Sequence, residues 1–336
     1  VDRELTDLLI CPACRGNLRW AISALAGDHV LDALATCEGC GATYPVQDGI
    51  GMFRTPDQRE ADLWETAETG LIRYLRGQPD LEHALLETPA NDLNPADQFF
   101  RAMVLEARGA FSEAKAVEVL ATSRAYTGDY TACSRAQLDF VQTTLNADQS
   151  TAPILDLACG RGYLVERLLA VPNRLIIATD YSPRVLRRNR RYWATLPHAE
   201  RVSLIACDAR QMPFKSGAIR AMTTNLGLSN ITAPERLLPE LRRISGDGVQ
   251  FLAIVHFFPA TDDANAAALR ELGLQGLAYY ETALALYASA GWMAELANRC
   301  VGAAKPTPSS VILGGARLDA LPVAETVLEW GVLIGR

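Results

Sequence analysis

The sequence predicts an α/β fold: a doubly wound, mostly parallel sheet of seven strands whose last strand is antiparallel, preceded by a small cysteine-held module and a helical segment. Three observations carry this. After Pro153, short apolar runs alternate with helical stretches, the pattern of parallel strands joined by right-handed crossovers. Near the start, four cysteines fall in two tight pairs, Cys11-Pro-Ala-Cys14 and Cys37-Glu-Gly-Cys40. Between these regions, apolar residues recur at three- and four-residue spacing, punctuated by Pro79, Pro89 and Pro95. A chain of 336 residues, 49% hydrophobic and 21% charged, is long enough for one large core plus an appendage and is not disordered. The expected divisions are residues 1–54, 55–130 and 131–336.

In the first division, strands are expected around Leu18–Ile22 and His29–Thr36, followed by turns at Tyr44-Pro45 and Asp48-Gly49. A CxxC places two thiolates on one turn, and two such turns brought together present four sulfurs to a tetrahedral zinc ion. Cys11, Cys14, Cys37 and Cys40 are therefore the expected zinc ligands. Four sulfurs leave no open coordination position, so the metal reads as structural, and this stretch has few apolar residues to fold without it. A pair of disulfides is the competing reading. It is disfavoured because Val1–Thr6 lacks the apolar region of a secretory signal and four further cysteines stand singly. Of those, Cys159 and Cys207 read as small buried hydrophobes.

Thr55-Pro56-Asp57 begins a linker, and helices are expected at Ala61–Arg76, Asp80–Thr88, Pro95–Ala107, Glu113–Ser123 and Ser134–Leu145. Strands follow at Ile154–Ala158, Leu175–Ala178 (ending at Asp180), Val202–Ala206 (ending at Asp208), Ala218–Thr224 and Val249–Phe257. Ser182-Pro183 has the cap and first-turn residues of a helix start, and further helices fit Ala233–Ile244 and Gln275–Ala290. Two strand-like runs, Ser310–Leu318 and Glu325–Ile334, read as a late hairpin that adds the antiparallel strand.

Net charge is −7 with a pI near 5.3, which argues against a nucleic-acid coat, although a local basic patch is compatible with it. Only Lys115, Lys215 and Lys305 of the 32 basic residues are lysine, a bias read as genome composition. No apolar run approaches the ~20 residues of a membrane span, so a cytoplasmic, membrane-free protein is expected.

In a doubly wound sheet, ligands sit beyond the carboxyl ends of the strands. Here those ends are Asp156–Gly162, Asp180–Tyr181, Asp208–Ala209 and Asn225–Gly227, so three acids and a glycine loop converge on one crevice. Gly160 and Gly162 permit close approach of a ligand, and the Asp180 carboxylate suits a ribose diol. A nicotinamide dinucleotide shares these features. Against it, Tyr163 stands at the third glycine of G-x-G-x-x-G and Ala158 at the first. Asp156 would also repel a pyrophosphate but attract an ammonium. S-adenosylmethionine offers an α-ammonium, a ribose diol and an adenine amine, which Asp156, Asp180 and Asp208 match in order.

Asp156-Leu-Ala-Cys-Gly160-Arg-Gly162, Asp180 and Cys207-Asp208-Ala-Arg-Gln-Met-Pro-Phe214 resemble the motifs of class I S-adenosylmethionine-dependent methyltransferases, over roughly residues 130–336. Pro213–Asn230 is similar to that family's fourth-strand region, with Arg220 where the family usually has Asp. Residues 11–14 and 37–50 resemble the zinc-ribbon modules of Trm112-like proteins; ribbons also precede ribosomal-RNA guanine-N1 methyltransferases, with a different last ligand pattern. The resemblance implies a Rossmann-like domain. It also implies that Ala158, Gly160 and Gly162 line the methionine part, and that Asp180 holds the ribose with Tyr181 against the adenine. Asp208 and Ala209 would then bind the adenine, and Asn225 to Gly227 border the methyl group. Tyr126 or Tyr130 would close over the cofactor, with helix packing as an equal alternative.

Methyl transfer needs a general base only if the acceptor must lose a proton early. His256, Tyr279, Tyr280 and Glu281 are the residues near the crevice that can serve. The chain reads Asn225-Leu-Gly-Leu where amine-methylating relatives carry Asn-Pro-Pro-Tyr, which disfavours an exocyclic base amine. An RNA acceptor is supported by Arg184, Arg187, Arg188 and Arg191, one helical face with Arg190 beside it, although a solvated face is the plainer reading. A small-molecule acceptor is favoured by the long helical segment, a potential lid carrying Trp64, Phe99, Phe100 and Met103. A third reading is a non-catalytic methyltransferase fold whose ribbon activates a protein partner; the intact acids argue against it.

Overall fold

The structure, a computed structural model, describes residues 1–55, 58 and 63–336, with the side chains of residues 63–69 outside the description. The expected linker at Pro56-Asp57, the start of the Ala61 helix and the Trp64 side chain lie outside the described residues. The N-terminal module contributes β1 (Leu18–Ala26), β2 (His29–Cys37), β3 (Thr43–Gln47) and β4 (Ile50–Phe53), an antiparallel meander. Helices α1 (Leu63–Arg76), α2 (Pro79–Glu87), α3 (Pro95–Ala107), α4 (Phe111–Ala125) and α5 (Gly128–Ala147) follow. The last begins six residues before the expected Ser134, because Thr127 caps it by accepting from the Tyr130 N–H.

The α/β region then runs β5 (Ile154–Asp156), α6 (Tyr163–Leu168), β6 (Ile176–Asp180), α7 (Pro183–Trp193), β7 (Val202–Cys207), β8 (Ile219–Asn225), α8 (Pro234–Ile244), β9 (Ser245–Phe257), α9 (Asp263–Glu271), α10 (Tyr280–Ser289), β10 (Ala294–Ala304) and β11 (Thr326–Gly335). The sheet order is β1-β2-β3-β4-β7-β6-β5-β8-β9-β11-β10. The seven strands from β7 to β10 form the expected doubly wound part, with β11 antiparallel to both neighbours.

The sheet has eleven strands rather than seven. Strand β4 pairs in parallel with β7, Ile50 opposite Leu204 and Phe53 opposite Cys207, so the module extends the large sheet instead of standing apart. Parallel pairing satisfies the backbone groups of β7, which would otherwise form an open edge. The cores are also continuous: Tyr44, Val46 and Phe53 of the module cluster with Ile205, Cys207 and Phe214. On the opposite sheet face, Ile154, Ile176, Leu204 and Ile254 pack beneath α5, α6 and Trp193.

The late hairpin also differs. Its strands are β10 and β11, while Ser310–Leu318 is not a strand. Residues 305–325 form a strap from β10 to β11. Gly314 and Gly315 take positive φ (61° and 94°), which breaks an extended run. Buried Asp97 of α3 accepts from the Ser310 hydroxyl and from the Val311 and Ile312 N–H groups, drawing the strap onto the helices. No helix among the described residues is long and apolar enough to cross a membrane.

Candidate functional site

The glycine loop leaves β5 through Ala158, Gly160 and Gly162, all at positive φ (50°, 51° and 83°). The two glycines serve different purposes. A Cβ on Gly162 would lie 2.3 Å from the Trp193 ring, so this glycine lets α7 pack onto the loop rather than opening space for a ligand. At Gly160 the nearest atom to such a Cβ is 3.9 Å away, and that position stays open. Gly227 closes on Ala158, where a Cβ would meet its Cβ at 2.8 Å.

The three acids occupy the ends of β5, β6 and β7, each in a different state. Asp180 is buried and accepts from the Gly160 N–H (2.9 Å) and the Ser182 N–H (3.0 Å), tying the loop to the start of α7. Ser182 occupies the cap position as expected, but its hydroxyl makes no capping bond. Asp156 is fully buried. Its Oδ1 accepts from the Thr223 hydroxyl (2.7 Å), while Oδ2 has no partner among the described residues. Burial pushes its pKa up to about 7, with the Thr223 bond opposing and the charge of Asp180 adding. Asp208 is paired with Arg210 (2.8 Å), which also bonds it through its backbone N–H. Ala209 packs, half-buried, against the core beside it. Tyr181 donates to the Gln58 carbonyl and lies under the Arg54 guanidinium. The side-chain oxygen of Asn225 is buried without a partner among the described residues, and Leu226 beside it holds φ at 57°. Cys159 and Cys207 are held as neutral thiols by burial, in keeping with the apolar reading.

Arg161, inside the glycine loop, is the site's least expected residue. It bonds Glu118 of α4 and Glu106 of α3 (2.7 Å) and lies over the Phe99 ring. Tyr163 also donates to Glu118, and Lys115 bonds Glu166 (2.8 Å). The helical segment is thus fastened to the loop by a half-buried charge network. In sequence, Glu106 and Glu118 look like the polar faces of amphipathic helices; only the fold turns them inward. Arg188 belongs here too, donating to the Gly160 carbonyl (3.3 Å) and to Asn189. Its turn inward splits the expected arginine face, where Arg184 and Arg187 also have partners and Arg190 donates to the Asp48 carbonyl.

Beside the β8 and β9 ends lies a cavity of about 210 Å³. Tyr126 and Tyr130 line it, stacked with ring centroids 4.6 Å apart. Tyr126 donates to Asp319 of the strap (2.7 Å), which roofs the cavity. His256 lines it as well, 5.0 Å from the Trp330 ring, with its buried Nδ1 unpartnered among the described residues. Burial lowers the His256 pKa to about 4, so the ring is neutral. Tyr280 and Glu281 are not part of this cavity. Tyr280 packs on Phe257, whose side chain points to the opposite sheet face from His256, and Glu281 is exposed. Phe99, Phe100 and Met103 of the expected lid are likewise not among its lining residues.

In the module, the Sγ atoms of Cys11, Cys14, Cys37 and Cys40 all lie within 4.8 Å of one another. The Cys14–Cys37 and Cys11–Cys40 pairs are 3.4 and 3.7 Å apart, far from a disulfide bond length and close to sulfur separations around a tetrahedral ion. The Gly39 and Cys40 N–H groups donate to Cys37 Sγ at 3.4 Å, as in a thiolate-holding turn.

A family profile described as a methyltransferase domain matches residues 154–248, and one described as Trm112p-like protein matches residues 2–49. The demethylmenaquinone methyltransferase of Clavibacter sepedonicus is 35% identical over 95 residues, 28% of this chain and 37% of that protein. That of Thermus thermophilus is 31% identical over 116 residues, 34% and 51% of the two chains. The chain thus spans about two fifths to one half of these relatives. The UPF0434 protein Mmar10_2939 of Maricaulis maris is 37% identical over 62 residues, 18% of this chain and 86% of that protein. The solved structure of YcgJ from Bacillus subtilis aligns with a TM-score of 0.48 at 13% identity, over 60% of this chain and 97% of that one. The ordered acids, the glycine loop and the four-thiol module agree with both profiles, and the chain belongs to the proteins that carry a methyltransferase domain, here joined to a Trm112p-like module.

Proposed function

We propose that the protein is an S-adenosylmethionine-dependent methyltransferase whose acceptor is a small molecule held in the cavity between Tyr130, His256 and the strap. The observation that carries this reading is Asp156 Oδ2, a buried acceptor with no partner among the described residues at the end of the strand that leads into the glycine loop, where an α-ammonium is the fitting partner. In this reading Ala158 and Gly160 border the methionine part, with Gly162 shaping the loop through its packing on Trp193, Asp180 takes the ribose diol, and Tyr181, Asp208 and Ala209 take the adenine. Arg210 shares Asp208 with the adenine amine. Asn225 and Gly227 border the methyl group, and Tyr130 separates it from solvent. Residues 1–54 form a structural zinc module, 55–130 a helical cover, and 131–336 the catalytic domain. When bound, the cofactor would supply an electrophilic methyl group on a sulfonium sulfur, which leaves as a neutral thioether. The residues need only align the acceptor, exclude water and remove a proton.

An ammonium at Asp156 favours the ionised carboxyl, which near pH 7 must first release its proton. Cofactor binding is therefore expected to release a proton and to tighten as pH rises, by about tenfold per unit below pH 7. The same raised pKa means that this group's contribution to apo-protein stability is lost as pH rises through 7. Calorimetric titration in two buffers of different ionisation enthalpy, with NAD as the contrasting ligand, checks this. Heats independent of buffer and affinity flat with pH would remove Asp156 from the site, and failure to bind S-adenosylmethionine would remove the reading itself.

In this scheme His256 takes the proton of the acceptor, since it lines the cavity and is neutral. His256→Gln is expected to lower kcat by about 10²- to 10⁴-fold while leaving cofactor affinity intact. In the wild type the rate falls below about pH 4 as the imidazole charges. An unchanged kcat would show that the acceptor needs no base.

A further inference from the structure

The acceptor cavity has an uneven distribution of charge. Its inner wall is apolar, formed by Phe258, Leu269 and Leu274 with Leu272 at the exposed rim, and His256 on that wall is neutral. Lys305 is the only cationic side chain of the lining, and it forms no ion pair within 4.0 Å among the described residues. Asp319 is the only acid; it is committed to the Tyr126 hydroxyl, and burial raises its pKa, which weakens it as a counter-ion. The residue type is itself informative, because only three of the 32 basic residues of the chain are lysine. A lysine presents a compact point charge that suits a single anionic group.

The strand register sets the distance. Trp330 pairs with His256 on one side and Cys300 on the other, so these three residues share one level of the sheet. Strands β9 and β10 run in the same direction, and Lys305 follows Cys300 by five residues, roughly 16 Å of extended chain. Lys305 therefore stands at the outer end of the cavity and His256 at the inner end.

Taking the cavity as the acceptor site, as proposed above, we infer that the acceptor is an elongated, apolar-bodied acid. Its single carboxylate or other anionic group pairs with Lys305, and its methyl-accepting atom lies toward His256, at the inner end of the cavity. The cavity of about 210 Å³ admits a body of one or two fused rings.

The test compares 6-hydroxy-2-naphthoate with its uncharged carboxamide, followed by naphthol fluorescence on the full, zinc-loaded chain saturated with S-adenosylhomocysteine. The naphthoate is expected to bind at least tenfold more tightly. Lys305→Ala is expected to erase that preference without weakening the carboxamide, and Lys305→Arg to restore most of it. Equal binding of the two probes, or equal weakening of both by Lys305→Ala, would overturn the anionic class while leaving the cavity as the acceptor site. Failure of both probes to bind to chain that still takes up S-adenosylhomocysteine would overturn the cavity assignment together with this inference.

Discussion

Asp180→Ala is expected to abolish measurable S-adenosylmethionine binding, a loss of at least 100-fold. Two contributions add. The carboxylate accepts the Gly160 and Ser182 N–H groups, so its removal frees the glycine loop and leaves two donors unpaired. It is also the acceptor proposed for both ribose hydroxyls. Hydrogen bonds to a charged group contribute about 1.5–3 kcal/mol each, and the loss of even two exceeds the free energy of a 100-fold change. Calorimetric titration with a thermal melt of the same sample checks this. Binding within tenfold of wild type by a folded Asp180→Ala protein would show that the loop does not hold the cofactor. Asp180→Asn is the milder control: it keeps the shape and one acceptor.

Removing the metal is expected to have the largest effect on stability. The module's four sulfurs converge, and a structural zinc in such a site contributes about 10–16 kcal/mol to folding at neutral pH. The effect should not stop at the module. Strand β4 pairs with β7, and the module's core is shared with Ile205 and Phe214. Chelation, or Cys37→Ser, is therefore expected to lower the melting temperature by more than 10 °C and to speed amide exchange along Val202–Cys207, next to Asp208. Metal analysis should find about one zinc per untreated chain. A melt and an exchange pattern unchanged by a strong chelator would mean that the cysteines do not hold a structural ion. If the module alone unfolded and β7 stayed protected, the shared sheet would carry no energetic coupling.

Much of the candidate site's layout was legible in the sequence because its residues sit at strand ends. Asp156, Asp180 and Asp208 follow short apolar runs, and alternation with helices dictates that such ends converge. The four-cysteine cluster was legible for a similar reason, since CxxC spacing is a local constraint on a turn. Gly162 reads in sequence as a glycine that lets a ligand approach, but the ring that excludes a Cβ there belongs to Trp193, 31 positions later. Tyr280 and Glu281 were misplaced because the face a residue takes beyond a strand depends on the strand's exact end, and His256 and Phe257 point to opposite sides.

The sequence by itself determined the local features: helix periodicity, the glycine loop, the order of the acids and the paired cysteine turns. These depend on neighbours within a few residues, where covalent geometry and side-chain period act directly. Only the tertiary structure decided that the module joins the sheet at β7, that Glu106 and Glu118 hold Arg161, and that the strap brings Asp319 and Lys305 to the cavity beside His256. Each of these contacts joins residues tens to hundreds of positions apart. Burial chooses among many equally polar or apolar partners there, and no local spacing encodes the choice.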